Sequence, residues 1–153
     1  MYNVSRNCKC IPLLFSVLIL CACGTSHRRL HGNLRLLDKH MLVEGSYVVI
    51  PNEGCEGCIS TAESFVKKNI HAAANIRYIF TRIQSSKLLK IKLGNDVMSS
   101  NRVLLDTANI IEYPDKANNI YPMVIILHDG KIARVTYQSP ASNGLSGLLN
   151  GEE

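Results

Sequence analysis

The run Tyr47-Val48-Val49-Ile50 is closed by Pro51, Asn52 and Gly54 and followed at once by Cys55-Glu56-Gly57-Cys58; this stretch limits the chain's fold more than any other. A continuous β-branched and aromatic run bounded by turn residues reads as a buried strand. From Ile59 through Ala62, Phe65, Val66 and Ile70 the apolar residues then recur at helical spacing, with Lys67, Lys68 and Asn69 closing the element. The prediction is a strand, a turn, and a helix whose first turn carries both cysteines.

The same alternation continues downstream. Residues 76–83 alternate as a strand does, and Ser85-Ser86 ahead of residues 87–93, with Gly94-Asn95 behind, supplies the cap and stop of a short helix. Val103–Asp106 is a further short strand. Residues 109–119 carry conflicting signals, apolar Ile110 and Ile111 against the breakers Pro114 and Asp115, and receive no regular element. Residues 123–127 and 131–137 flank Asp129-Gly130, a hairpin turn signal, so they are expected to pair antiparallel, with Pro122 directly before them. Residues 141–149 are expected to form a short closing helix, weakened by Gly144 and Gly147.

The N-terminus follows a different plan. Arg6 and Lys9 precede an apolar core from Ile11 to Leu20, the layout of an export signal. A spanning helix needs about 20 apolar residues, and this run reaches only Cys23 before Gly24, Thr25, Ser26, His27, Arg28 and Arg29 interrupt it. Its end, Leu20-Cys21-Ala22-Cys23, resembles the lipobox of bacterial lipoproteins; Cys21 fits less well because bulky Leu20 precedes it. The resemblance implies a signal peptide over residues 1–22, lipid on Cys23, and attachment to a membrane of the bacterial cell envelope, facing the periplasm. Residues 23–41, polar and basic with scattered leucines, read as a tether that ends in a short helix.

Processing of this kind changes the cysteine count. Of six cysteines, Cys8, Cys10 and Cys21 leave with the signal and Cys23 is taken by lipid, so Cys55 and Cys58 are the two that remain. A C-x-x-C outside the cytoplasm is not held reduced by glutathione, which raises thiol–disulfide chemistry. A cysteine at a helix N-terminus is favoured as the thiolate by unpaired N–H groups and the helix dipole, so Cys55 is the candidate nucleophile. Cys58, one turn on, is the candidate resolving thiol. Glu53 and Glu56 oppose the thiolate and are expected to tilt the pair towards reduction.

The order strand, C-x-x-C helix, strand, helix, then proline and hairpin resembles the thioredoxin-like fold, and within it the TlpA-like thiol-disulfide oxidoreductases of bacterial envelopes. The resemblance covers about residues 42–150 and implies an α/β domain, a central mixed β-sheet flanked by helices. It also implies that Tyr121 and Pro122 help hold the substrate chain, Pro122 through a cis peptide bond. Three positions depart from the family's pattern: Gly54 stands where an aromatic residue is usual, Gly57 where proline is, and Thr61 where some members carry an acid.

The expected function is therefore a membrane-anchored thiol-disulfide oxidoreductase acting on protein thiols or disulfides. It would be recycled by a redox partner and need no cofactor beyond the dithiol. The alternative is a non-catalytic adaptor of the same fold in which Cys55 and Cys58 form a permanent clip. A metal site would need further ligands, and His27, His31, His40, His71 and His128 stand at no convincing spacing. His128, six strand residues beyond Pro122, is expected about 20 Å from it. Nucleic acid is set aside: of 17 basic residues two leave with the signal, 15 then face 12 acidic ones, and the chain has no Trp to build a stacking surface.

Overall fold

The computed structural model describes residues 23–72 and 75–149. The signal segment expected at residues 1–22 and the side chain of Cys23 lie outside the described residues. Helix α1 (Cys23–Leu37) is followed by strand β1 (Gly45–Pro51), helix α2 (Glu56–Asn69) and strand β2 (Ile76–Thr81). Short helices α3 (Ser86–Leu93) and α4 (Asn95–Met98) lead to β3 (Val103–Asp106). A 3-10 turn (Lys116–Asn118) precedes the hairpin of β4 (Met123–His128) and β5 (Lys131–Ser139), and β6 (Ser142–Asn143) closes the order.

The strands form one mixed sheet in the order β3-β2-β1-β4-β5-β6. β1 pairs parallel with β2, and β2 with β3; β4 runs antiparallel to β1, and β5 to β4. This is the α/β class expected from the sequence, a mixed sheet flanked by helices, and it is consistent with a thioredoxin-like architecture.

Alternation along the central strands sends side chains to two cores. Val48, Ile50, Ile76, Tyr78, Phe80 and Val124 face α2, α3 and α4 and meet Ile59, Ala62, Val66, Leu89, Leu93 and Val97. Tyr47, Val49, Ile79, Met123, Ile125 and Leu127 face the other way. Their cover is α1, whose Leu30 and Leu34, four apart and so on one face, are essentially fully buried.

The segment expected to be a tether is thus, from Cys23 to Leu37, a helix packed on the sheet. Without it the second face of β1 and β4 would be open to water, a cost of order 2 kcal/mol for each large apolar side chain left exposed. Its end is fixed by polar contacts as well. Asp38 accepts hydrogen bonds from the Tyr47 hydroxyl (2.6 Å) and from the Arg77 guanidinium, and burial raises the Tyr47 pKa. His31 adds a further contact, its Nε2 lying 2.7 Å from the Gly130 carbonyl at the hairpin turn.

The expected closing helix does not form. Residues 142–143 pair with β5 instead, and the chain beyond them runs in turns. Gly144 sits so close to β5 that a Cβ would lie 2.7 Å from the Tyr137 carbonyl oxygen, so strand contact prevails over a helical course.

Candidate functional site

Three parallel strands end level with one another. Pro51, Thr81 and Asp106 are register partners, and ligand sites in open α/β sheets gather beyond such carboxyl ends. Because β4 is antiparallel to β1, with Met123 opposite Val49, its first residue lies at this same end. Topology alone therefore brings Pro122 to the edge where the cysteines begin.

Cys55 occupies the N-cap position of α2 in extended conformation, and its carbonyl accepts the first helical bond, from the Ile59 N–H (2.9 Å). Cys55 is half-buried and Cys58 buried, and the two form a disulfide with Cα atoms 5.3 Å apart. The less buried cysteine is thus the one at the helix N-terminus, where a thiolate is favoured.

The loop before β4 lies against this pair. The Cys55 N–H donates to the Ile120 carbonyl (3.0 Å). Gly54, at φ +139°, lets the two backbones touch, since a Cβ there would stand 2.3 Å from the Ile120 oxygen. The missing aromatic residue is therefore a steric requirement: the space such a side chain would take is filled by main chain. Tyr121 is half-buried and Pro122 buried. The Tyr121–Pro122 bond is trans, a correction to the cis geometry implied by the family resemblance.

Sequence reasoning missed the residues that shape this loop. Arg82, directly after β2 at φ +55°, donates to the Asn119 carbonyl (2.9 Å) and lies 5.3 Å over the Tyr113 ring. The Tyr113 hydroxyl donates to the Tyr121 carbonyl (3.0 Å), its ring stacks on Tyr137, and burial raises its pKa. Behind them the fully buried Asp106 carboxylate accepts from the Thr81 hydroxyl and the Ile110 and Ile111 N–H groups. No local pattern signals these contacts, which join residues up to 37 apart.

Beside the disulfide, Asn52, Glu53, Gly54, Glu56, Ile59, Ser60 and Lys92 line a cleft of about 450 Å³. Lys92 shares this cleft with Glu53 and Glu56, but its ammonium is held 2.8 Å from the buried carboxylate of Glu63. Two larger hollows, of about 640 and 940 Å³, lie along the outer face of α2 and around the start of β1.

The sequence matches no protein-family model, and no significant similarity is found to curated proteins or to solved structures. The site must be read from its own geometry.

Elsewhere, Glu44, His128 and Asp129 bring ligand-type atoms within 4.8 Å of one another, and all three are exposed. Hydrogen bonds account for the grouping, since Glu44 accepts from the Asp129 N–H (2.8 Å) and lies 3.2 Å from His128 Nδ1. The group sits at the opening end of β1, where Gly45 faces Leu127, so the seven residues of β1 separate it from Cys55 by about 20 Å. Among the described residues no helix is long and apolar enough to cross a membrane.

Proposed function

We propose that this chain is a membrane-anchored thiol-disulfide oxidoreductase of TlpA-like type, working in the bacterial cell envelope. The observation that carries the reading is the unequal pair at one helix end: a half-buried Cys55 at the N-cap and a buried Cys58 one turn on, faced by the Ile120–Pro122 loop.

With the pair reduced, the Cys55 thiolate attacks one sulfur of a substrate disulfide, forming a mixed disulfide and expelling a substrate thiolate that takes a proton. The Cys58 thiolate then attacks the Cys55 sulfur, restoring the Cys55–Cys58 bond and releasing the second substrate thiol. Two electrons pass to the substrate, and an external dithiol reductant must return them. Burial of Cys58 shields it from direct attack and so favours this order of events. Tyr121 and Pro122 flank the approach to Cys55 and are the proposed substrate contacts. Attachment through lipid on Cys23 is the proposed anchor, and mass spectrometry of the N-terminal peptide of the mature protein tests it.

The test of activity is Cys58→Ser in the full chain. The expected result is proteins trapped on Cys55 as mixed disulfides that dithiothreitol releases. No trapping, with function unimpaired when Cys55 and Cys58 are both serine, would assign the fold to an adaptor instead.

A further inference from the structure

Helix α3 carries a surface that the redox chemistry does not use. Its sequence is Ser-Lys-Leu-Leu-Lys-Ile-Lys-Leu, with Leu89 and Leu93 buried in the core and Leu88 and Ile91 exposed by 66% and 71%. Leu88 and Ile91, three apart, share the stripe opposite the buried one. Lys87 and Lys90 are exposed on one side of that stripe and Lys92 on the other. The helix holds no acidic residue, and Lys87 and Lys90 form no ion pair among the described residues. Ser85 caps its start, its hydroxyl accepting from the Leu88 N–H, which fixes the apolar pair in place.

We infer that α3 is a second membrane contact, docking on anionic phospholipid with Leu88 and Ile91 entering the headgroup boundary and Lys87 and Lys90 meeting phosphates. Two protruding apolar side chains flanked by lysines form a raised apex, which suits a yielding lipid surface better than a preformed protein groove. Charge complementarity selects anionic lipid, because the free charge on this face is of one sign. Lys92 also lines the cleft beside Cys55, so docking turns the redox end of α2 towards the bilayer and its membrane-held substrates. The inference does not use the redox chemistry, but it rests on the proposed lipid on Cys23 for the first contact.

The test reconstitutes the full chain into vesicles of phosphatidylcholine alone and into vesicles with a third of it replaced by phosphatidylglycerol. Lysines are labelled with a water-soluble acetylating reagent and quantified by peptide. Lys87 and Lys90 are expected to label about fivefold more slowly on the anionic vesicles, the gain of one lysine at such a surface, while Lys131, at the far hairpin, is unchanged. The double variant Leu88→Ser/Ile91→Ser is expected to lose most of that difference with its circular dichroism intact. Equal labelling on both vesicles overturns the inference, as does equal slowing at Lys131. So does protection by soluble polyglutamate but not by anionic vesicles, which would assign the face to an acidic protein.

Discussion

Replacing Gly54 by alanine probes the contact that joins the two halves of the site. At φ +139° a residue with a Cβ is strained by about 1–3 kcal/mol. The new carbon would also stand 2.3 Å from the Ile120 oxygen and 2.9 Å from its Cα, both main-chain atoms that cannot swing aside. Pushing them back breaks the Cys55 N–H bond to Ile120, worth about 1 kcal/mol. The expected loss is about 2–4 kcal/mol, which at a urea m-value of roughly 1.5 kcal/mol per molar lowers the midpoint by about 1.3–2.7 M. Gly57→Ala is the control: nothing lies within 4 Å of its Cβ position and it sits in α2, where alanine is favoured by up to about 1 kcal/mol. Urea unfolding of both variants in the oxidised state, followed by far-UV circular dichroism, decides the matter. A Gly54→Ala midpoint equal to that of Gly57→Ala would refute the claim that main chain fills the space beside Cys55.

Leu30→Ala and Leu34→Ala should each cost about 2–5 kcal/mol, as for buried leucines, whereas Leu36→Ala, 73% exposed, should change stability by less than about 0.5 kcal/mol; thermal unfolding separates the outcomes. Tyr78 is buried and its hydroxyl has no hydrogen-bond partner among the described residues, so Tyr78→Phe should leave the melting temperature unchanged or raise it. Glu44 is held below the ordinary glutamate value of 4.5 chiefly by the Asp129 N–H, so its contribution is present above that value and fades as pH falls through the lowered folded pKa; carboxyl NMR titration should place its midpoint below 4.5 and Glu44→Gln should remove the effect.

Much of the architecture was legible because its signals are local. β1, β3, the start of α2 and the β4–β5 hairpin follow from apolar runs, turn residues and caps within a few positions of one another. The docking of α1 was not legible, because its buried face amounts chiefly to Leu30 and Leu34 among charged neighbours, and its partner surface appears only once β1 and β4 have paired. Residues 109–119 received no element for a related reason: their course is set by the Asp106 carboxylate, Arg82 and the Tyr113 hydroxyl rather than by any repeat. At the site itself the positions of Cys55, Cys58 and Pro122 were readable from order and spacing. Gly54 was readable only as a departure, until Ile120 gave it a reason.

Whether Cys55–Cys58 works as a redox couple is tested by equilibrium titration of the full chain against dithiothreitol and glutathione buffers. With Glu53 and Glu56 opposing the Cys55 thiolate and Lys92 paired with Glu63, reversible reduction is expected at a potential between about −270 and −180 mV, well below the roughly −120 mV of strongly oxidising relatives of thioredoxin. A pair that stays oxidised below about −300 mV would mark a structural disulfide and overturn the proposed oxidoreductase.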